Sequence, residues 1–141
     1  MSLDSLQNTR ASDIMVRDVI VASETEKIRE IESQMIKRSI GGLPVVRSKN
    51  GRQTVVGMIT HRDIMLARHA VSIGGMDVKD LMSHEITSVK EDATLVEILQ
   101  KMNDKNVERL PVVDMDGNLS GMIMHKNILS RLLNILKNLD A

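Results

Sequence analysis

Two copies of one sequence unit make up almost the whole chain, and this internal repeat constrains the fold more than any other feature. Leu43-Pro44-Val45-Val46 recurs 67 positions later as Leu110-Pro111-Val112-Val113. The same offset carries Asp13-Ile14-Met15 onto Asp80-Leu81-Met82. Matches that keep both their order and their spacing predict two homologous structural units.

The later part of each unit repeats with a slightly shorter offset. Gly57-Met58-Ile59, followed by His61, returns 64 positions later as Gly121-Met122-Ile123, followed by His125. The difference of three residues falls in a turn of the first copy, around residues 48–53. The repeat therefore predicts a first domain at residues 8–71, a linker at 72–77 and a second domain at 78–136.

Each copy has the pattern of a small α+β unit with the order β-α-β-β-α. A short extended segment precedes an amphipathic helix, a buried strand with proline near its start, a hairpin, a second strand and a final helix. One such sheet is too small to be stable alone, so we expect the copies to pack sheet to sheet with pseudo-twofold symmetry. The pattern places extended segments at Val19-Ile20-Val21 and Ile86-Thr87-Ser88, helix stripes at Ile28, Ile31, Met35 and at Leu95, Ile98, Met102, and turns at Asn50-Gly51 and Asp116-Gly117.

Composition excludes several classes of function. The 141 residues include no cysteine, so disulfides and thiolate metal sites are excluded. The 19 basic and 19 acidic residues give no net charge, and the chain has no aromatic residue, so the features typical of nucleic-acid-binding proteins are missing. Eleven methionines replace part of the missing core volume. No apolar run has the length of a membrane span and the N-terminus does not have the order of a signal peptide, so we expect a cytoplasmic protein that binds neither nucleic acid nor membrane.

The last helix carries more apolar residues than one small sheet can cover. They form a stripe with a flank, Ile128, Leu132, Ile135 and Leu139 beside Leu129, Leu133 and Leu136. One interpretation is a core helix, and the other is a helix at a subunit interface. The second interpretation predicts a homodimer in solution.

Thr60 and Asp63 are the pair with the most informative spacing. A strand ends at Ile59 and a helix begins at Thr60 or His61, so both side chains lie on one face of the first turn. The pair fits a capping box, in which each side chain bonds to the other residue's backbone amide. It also fits a phosphate and ribose site, because a helix N-terminus attracts anions and a carboxylate accepts hydrogen bonds from a diol. The residues alone leave both interpretations open.

The full arrangement resembles the CBS domain, a module named after cystathionine β-synthase that usually occurs in tandem. Both copies follow the family order over residues 12–132. The diagnostic run is glycine, two apolar residues, serine or threonine, two variable residues and aspartate. This run is complete at Gly57, Thr60 and Asp63.

The resemblance implies that an adenosine nucleotide binds in a cleft to which both copies contribute. Ribose and phosphate would contact Thr60 and Asp63, and the base would lie against residues of the second copy. Arg109 stands where the family often has a phosphate-binding basic residue. The nucleotide site implied in this way comprises Ile59, Thr60, His61, Arg62, Asp63, Met82, Ile86, Thr87, Val107, Glu108, Arg109 and Leu110.

A second cleft, related to the first by the repeat, is predicted to bind more weakly. The second copy has Met124 and Asn127 in place of threonine and aspartate. Methionine cannot donate to a phosphate, whereas asparagine retains one acceptor. The residues implied for this cleft are Met15, Val19, Ile20, Ile40, Gly41, Gly42, Leu43, Ile123, His125 and Asn127.

The function implied by the resemblance is a non-enzymatic sensor of AMP, ADP or ATP, whose ligand biases the arrangement of the copies and signals to an unidentified protein partner. The alternative is a scaffold module without a ligand, which the incomplete second motif favours. Some family members are inserted in inosine monophosphate dehydrogenases, and a chain of this kind could carry that name. The 141 residues leave no room for a barrel of ~250 residues, so we expect no enzyme activity.

The sequence predicts no catalytic residue, metal ion or obligatory cofactor. Its histidines do not have the spacing of metal ligands, and no nucleophile with an adjacent base is evident.

Overall fold

The computed structural model describes residues 2–139. In chain order its elements are α1 (Ser2–Gln7), α2 (Ala11–Ile14), α3 (Ile28–Arg38), β1 (Gly42–Lys49), β2 (Arg52–Thr60), α4 (His61–Arg68), α5 (Val78–Leu81), β3 (Val89–Lys90), α6 (Leu95–Lys105), β4 (Arg109–Val113), β5 (Leu119–Met124) and α7 (His125–Leu139). The fold class is α+β, as the sequence predicts.

The described residues form two compact units, and each unit draws on both sequence copies. The central unit contains residues 20–86, and the terminal unit contains residues 2–19 together with 87–139. The early segment of each copy, which carries α2 or α5, therefore packs with the main part of the other copy.

The central unit is built on the antiparallel hairpin of β1 and β2, in which Gly42 lies opposite Thr60. Asn50 and Gly51, with φ of 52° and 78°, form the predicted two-residue turn. Asparagine and glycine are the residues that tolerate this left-handed conformation best. The buried core of the unit consists of Ala22, Ile28, Ile31, Met35, Leu43, Val45, Ile59, Ile64, Ile73, Val78 and Met82.

The terminal unit has a three-stranded sheet in the order β3-β4-β5, with β3 parallel and β5 antiparallel to β4. A β-bulge between Val112 and Val113 repeats the one between Val45 and Val46 at the same offset. The predicted turn at Asp116-Gly117 lies between β4 and β5. The buried core of the unit consists of Ala11, Met15, Val89, Ala93, Leu95, Ile98, Met102, Leu110, Val112, Ile123 and Ile128.

Both predicted helix stripes are confirmed, and methionines do fill core volume. The buried residues of α3 and α6 are those that the 3.6-residue period indicates, Ile28, Ile31, Met35 and Leu95, Ile98, Met102. Met15, Met35, Met82 and Met102 are all buried. The lack of aromatic residues is thus met by unbranched side chains that adapt to irregular spaces.

The first strand of each copy lies later in the sequence than predicted. Val19-Ile20-Val21 is not a strand, and the extended segment instead makes one parallel bridge between Ala22 and Val45. In the second copy the strand is Val89–Lys90, not Ile86-Thr87-Ser88. Ala22 and Val89 are equivalent at the offset of 67, so both copies show the same shift.

Backbone hydrogen bonds to the proline-containing strand explain this shift. The Ala22 amide donates to the Pro44 carbonyl over 3.0 Å, and the Val46 amide donates to the Ala22 carbonyl over 2.9 Å. The pairing is set by these partners, which are distant in sequence, and not by the β-branched residues that precede Ala22.

Gly57 and Gly121 allow the early segments to pair with β2 and β5. A Cβ on Gly57 would lie 2.5 Å from the Ser83 carbonyl oxygen, and a Cβ on Gly121 would lie 2.8 Å from the Val16 carbonyl oxygen. No side chain fits at either distance, so glycine is required for this close approach. The bridges formed there are Met58 with Ser83 and Val16 with Met122.

Helix α7 is a core helix on one side and exposed on the other. Ile128 and Ile135 are buried, and Leu132 packs against the core of the terminal unit. The expectation that the whole stripe forms a partner surface is therefore wrong for these three residues. The apolar residues that remain exposed are Leu129, Leu133, Leu136 and Leu139, with exposed fractions of 64%, 52%, 56% and 44%.

Candidate functional site

The start of α4 presents Thr60 and Asp63 as an interlocked pair in the central unit. Thr60 Oγ1 accepts a hydrogen bond from the Asp63 amide over 3.1 Å, and Asp63 Oδ2 accepts one from the Thr60 amide over 2.9 Å. These two bonds are a complete capping box. The capping interpretation of the pair is thus confirmed.

Capping leaves groups on both side chains for a ligand. Among residues 2–139, no hydrogen bond reaches Asp63 Oδ1, and none uses the hydroxyl hydrogen of Thr60. A hydroxyl can donate one bond while it accepts another, and a carboxylate has a second oxygen. The cap therefore fixes a donor and an acceptor next to each other, at the N-terminus of a helix that attracts anions.

Other predicted site residues lie beside this pair within the central unit. The His61 amide donates to the Gly41 carbonyl over 2.9 Å. Met82 is buried, and its sulfur lies 3.2 Å from the position that a Cβ on Gly57 would occupy. The loop that precedes β1 and the early segment of the second copy, which carries Met82, therefore both border the β2–α4 junction.

The second motif, at the start of α7, presents different chemistry. Asn127 Oδ1 accepts a hydrogen bond from the Met124 amide over 2.7 Å, the counterpart of the bond between Asp63 and Thr60. This bond uses one of the two lone pairs of the Asn127 amide oxygen, and the other polar group of Asn127 is an NH₂ donor, so Asn127 has no second oxygen to offer a ribose. Met124 has no hydroxyl to offer.

The loop before β4 borders this second motif within the terminal unit. The His125 amide donates to the Glu108 carbonyl over 3.2 Å, and Arg109 lies opposite Met124 in the strand register. Arg109 is half-buried and makes no ion pair within the described part of the chain. A cation without a carboxylate partner is a suitable group for a phosphate.

The predicted site residues are divided between the two units. The central unit holds Ile20, Ile40, Gly41, Gly42, Leu43, Ile59, Thr60, His61, Arg62, Asp63, Met82 and Ile86. The terminal unit holds Met15, Val19, Thr87, Val107, Glu108, Arg109, Leu110, Ile123, His125 and Asn127. Each predicted cleft thus includes residues of both units, and the idea that one ligand contacts both sets stays a prediction.

Two residues that border the motif strands were not among the predicted site residues. Val16 and Ser83 bring their backbones against Met122 and Met58. The sequence does hold a signal for these two residues. They are 67 positions apart, and each directly follows its copy of the repeated triplet, Asp-Ile-Met or Asp-Leu-Met.

An ion pair joins the helix that carries the motif to α3. The Arg68 guanidinium contacts the Glu32 carboxylate twice, at 2.6 and 2.7 Å. The hydrogen bonds from Arg68 lower the pKa of Glu32, and Glu32 in turn raises the pKa of Arg68. A second pair, between Lys27 and Asp77 at 2.7 Å, lowers the pKa of Asp77.

Neither a metal centre nor a membrane helix is found between residues 2 and 139. No three histidine, aspartate or glutamate side chains come together there as metal ligands. None of the helices described is both long enough and apolar enough to cross a bilayer.

Comparison with known proteins gives a consistent family match. The family model for the CBS domain matches residues 11–70 and 78–134. An inosine-5'-monophosphate dehydrogenase of Methanocaldococcus jannaschii is 37% identical over 122 residues, which are 86% of this chain and 23% of the enzyme. A methylated protein of the same organism is 31% identical and is covered over 81% of its length, by 96% of this chain. An uncharacterised protein of Methanopyrus kandleri is 33% identical, with 88% of this chain and 63% of that protein covered.

Solved structures show the same fold. The crystal structure of the CBS domain pair of protein MJ0100, in complex with 5'-methylthioadenosine and S-adenosyl-L-methionine, has a TM-score of 0.77 and 28% identity, and the match covers 89% of this chain and 99% of that one. A putative acetoin utilisation protein from Vibrio cholerae has a TM-score of 0.81 at 22% identity, with 94% and 96% covered. The CBS-pair protein CBSX2 from Arabidopsis thaliana has the same TM-score at 23% identity, with 92% and 98% covered.

Proposed function

We propose that this chain, which belongs to the CBS domain family, is a non-enzymatic regulatory module that binds an adenosine compound at the Thr60–Asp63 motif. The observation that carries the proposal is the capped pair at the start of α4. Its two hydrogen bonds hold a hydroxyl and a carboxylate in place while one donor and one acceptor stay available. Pre-organised groups of this kind bind without the entropic cost of ordering their side chains.

Each part of an adenosine nucleotide has a suitable group at this motif. The second carboxylate oxygen of Asp63 can accept hydrogen bonds from the ribose diol. The Thr60 hydroxyl, the start of α4 and the exposed Arg62 can hold a phosphate. The base would lie against aliphatic and methionine side chains such as Met82, because the chain has no aromatic residue.

The ligand class is defined by the adenosine group. The MJ0100 domain pair is described with two thioether or sulfonium derivatives of adenosine. AMP, ADP and ATP share the adenosine group with these compounds and add the phosphate for which Thr60 and Arg62 are suited. AMP, ADP and ATP are therefore our first candidates, and S-adenosylmethionine and 5'-methylthioadenosine are the next.

The proposal includes regulation and no catalysis. The match to the dehydrogenase covers 23% of that enzyme, so its activity does not transfer to this chain. A ligand that contacts residues of both units would favour the arrangement of the units that it binds best. A protein partner could recognise that arrangement. Sensing is thus the function that the motif supports best.

The direct test is isothermal titration calorimetry of the full chain with AMP, ADP, ATP, S-adenosylmethionine and 5'-methylthioadenosine. We expect saturable binding of at least one of them. The chain has no tryptophan or tyrosine, so a 260 nm absorption band on the purified protein would also report a co-purified nucleotide. If none of the five compounds binds at millimolar concentration, the scaffold alternative is favoured.

A further inference from the structure

The turn between β1 and β2 places two groups that can react with each other side by side, the side-chain amide of Asn50 and the backbone nitrogen of Gly51. Both residues are exposed, and both have a positive φ, 52° and 78°. Asn50 is one of eight asparagines in the chain and the only one that is followed by glycine. A backbone nitrogen that follows an asparagine can attack the carbonyl carbon of its side chain, so this turn is a candidate modification site.

In the described part of the chain, no hydrogen bond engages either of these groups. The Asn50 side chain neither donates to nor accepts from another residue, and the Gly51 N–H, which lies outside both strands, has no acceptor. No described atom lies within 4 Å of a Cβ built on Gly51, so its nitrogen is open to the side chain and to solvent. The fold therefore leaves both groups free to react.

Asn106 has the same backbone conformation as Asn50 but a different neighbour. Its φ is also 52°, it is exposed, and it is the C-cap residue of α6. The amide that follows it, the Val107 N–H, donates to the Met102 carbonyl over 3.0 Å, and the Val107 side chain is β-branched. Attack by the Val107 nitrogen would break this hydrogen bond and crowd the branched side chain. The residue that follows thus distinguishes a reactive asparagine from a protected one.

We propose that Asn50–Gly51 is a site of self-modification, at which the chain loses ammonia and gains a carboxylate. Hydroxide takes the Gly51 amide proton, the nitrogen attacks Asn50 Cγ and the Cγ–Nδ2 bond breaks, while Nδ2 takes a proton from water and leaves as ammonia. Water then opens the five-membered succinimide ring. Attack of water at Cγ gives aspartate, and attack at the backbone carbonyl gives isoaspartate, in which the backbone runs through Cγ. Water is the only reactant consumed, and nothing is oxidised or reduced.

The two products affect the hairpin differently. Aspartate, like asparagine, is favoured in a two-residue turn of this kind, so it keeps the register in which Lys49 lies opposite Arg52. Isoaspartate lengthens the backbone of the turn by one carbon, and the length of the loop fixes the register of a hairpin. Either product changes the formal net charge of the chain from zero to −1. The end of the β1–β2 hairpin thus gains a negative charge as the molecule ages. This inference does not depend on the adenosine site.

The test is a timed incubation of the full chain in buffer at neutral and at mildly alkaline pH. A protease that cuts after acidic residues then releases residues 33–63 as one fragment, because no acidic residue lies between Glu32 and Asp63. Aspartate at position 50 adds a cut within this fragment and isoaspartate does not, so mass spectrometry distinguishes the two products. A sample taken before the incubation gives the baseline.

We expect ammonia release and conversion of the 33–63 fragment, faster at the alkaline pH because hydroxide starts the reaction. The internal control is the fragment 105–108, which contains Asn106. The 33–63 fragment should convert roughly tenfold faster or more, because the Val107 nitrogen is held in a hydrogen bond.

The matched variant is Asn50→Gly, because glycine also adopts a positive φ and has no side-chain amide to attack. It should keep the hairpin and leave the 33–63 fragment unchanged. The wild type unfolded in guanidinium chloride shows the rate without the fold. Three results would each overturn the proposal: conversion of the fragment in the unfolded chain but not in the folded one, equal conversion of the Asn106 fragment, or acidic forms that accumulate as fast in Asn50→Gly as in the wild type.

Discussion

Asp63 and Asn127 cap their helices in the same way but leave different groups for a ligand. Each side chain accepts a hydrogen bond from a backbone amide three residues earlier. Asp63 then has a charged oxygen to offer, whereas Asn127 has an NH₂ donor. An asparagine at position 63, as in the second repeat, would therefore remove the free carboxylate oxygen and keep the capping hydrogen bond.

The substitution Asp63→Asn is expected to weaken the binding of an adenosine compound with little effect on stability. The new Oδ1 can still cap the Thr60 amide, but the acceptor for the ribose diol becomes a donor. We expect a loss of about 1.5–3 kcal/mol of binding free energy, the range for hydrogen bonds to charged groups. Calorimetry and thermal unfolding on the same samples measure the two quantities.

Two further variants serve as controls for this prediction. Asp63→Ala removes the cap as well, so it should lose binding and also about 0.5–2 kcal/mol of stability. Asn127→Ala should affect binding less than Asp63→Asn. A larger binding loss from Asn127→Ala would show that the second motif is the one in use.

The Glu32–Arg68 pair makes stability depend on pH in a defined direction. The folded-state pKa of Glu32 lies below its usual value of 4.5 because of the bonds from Arg68. The stabilisation is therefore complete above the unfolded-state pKa and is lost as the pH falls through the lower, folded-state value. Arg68→Gln should destabilise the protein at neutral pH and have no effect once the carboxyl group is protonated.

Urea unfolding of the wild type and Arg68→Gln at several pH values measures this dependence. Arg38→Gln is the control, because the exposed Arg38 donates a hydrogen bond to the neutral Gln34 and its effect should not vary with pH. A difference between wild type and Arg68→Gln that stays constant from neutral to strongly acidic pH would contradict the assignment to Glu32.

At the scale of the elements, Gly57 is the position at which a small change should do most damage. An alanine Cβ there would lie 2.5 Å from a backbone oxygen, which cannot move without breaking the bridge between Met58 and Ser83. We expect Gly57→Ala to cost about 1–3 kcal/mol of stability, as overpacking usually does. Gly121→Ala should also destabilise the protein, because its Cβ would lie 2.8 Å from the Val16 carbonyl oxygen and 2.6 Å from the Met15 sulfur.

Gly74→Ala is the control for the glycine variants. No atom lies within 4 Å of a Cβ built on Gly74, so this substitution should leave the stability unchanged or slightly raised. Chemical denaturation of the three variants measures their free energies of unfolding, which can then be compared. If Gly57→Ala were as stable as Gly74→Ala, the close approach of the exchanged segment would not be present in solution.

Local patterns in the sequence predicted the elements that local interactions determine. The helix stripes, the turn at Asn50-Gly51 and the capping pair Thr60 and Asp63 all depend on residues within a few positions of one another. They could therefore be identified from spacing alone.

Features that depend on distant partners were missed or misplaced. The first strand of each copy is fixed by bonds such as that from Ala22 to Pro44, and the exchange of early segments by bridges such as Val16 with Met122. Neither the hydrogen bond nor the bridge produces a periodic pattern in the sequence. The family resemblance was enough to name candidate site residues. It did not indicate which unit holds each of them, because that also depends on contacts between distant residues.

For the whole molecule, the exposed leucines of α7 predict self-association. Leu129, Leu133 and Leu136 lie on one face, and Met65 of α4, which is equivalent to Leu129 at the offset of 64, is 49% exposed. Two equivalent apolar faces suit an isologous contact between two copies of the chain. Light scattering after size exclusion should give about 31 kDa, twice the 15.7 kDa of the chain.

The variant that tests the dimer is Leu133→Glu, because Leu133 is exposed while its neighbour Leu132 belongs to the core. We expect a folded monomer. Leu99→Glu changes an exposed leucine of α6 and should stay dimeric. A monomeric wild type, or dissociation by Leu99→Glu alone, would count against the α7 surface.

The exchange of early segments also sets an order of events during synthesis on the ribosome. The central unit, residues 20–86, is contiguous, so all of its residues are present once residue 86 has emerged. Residues 2–19 are made before the central unit, yet their partners in the terminal unit begin at residue 87 and continue to residue 139. At ~5–20 residues per second this wait is on the order of ten seconds. A circular permutant that begins at residue 20 would make both units contiguous and remove the wait.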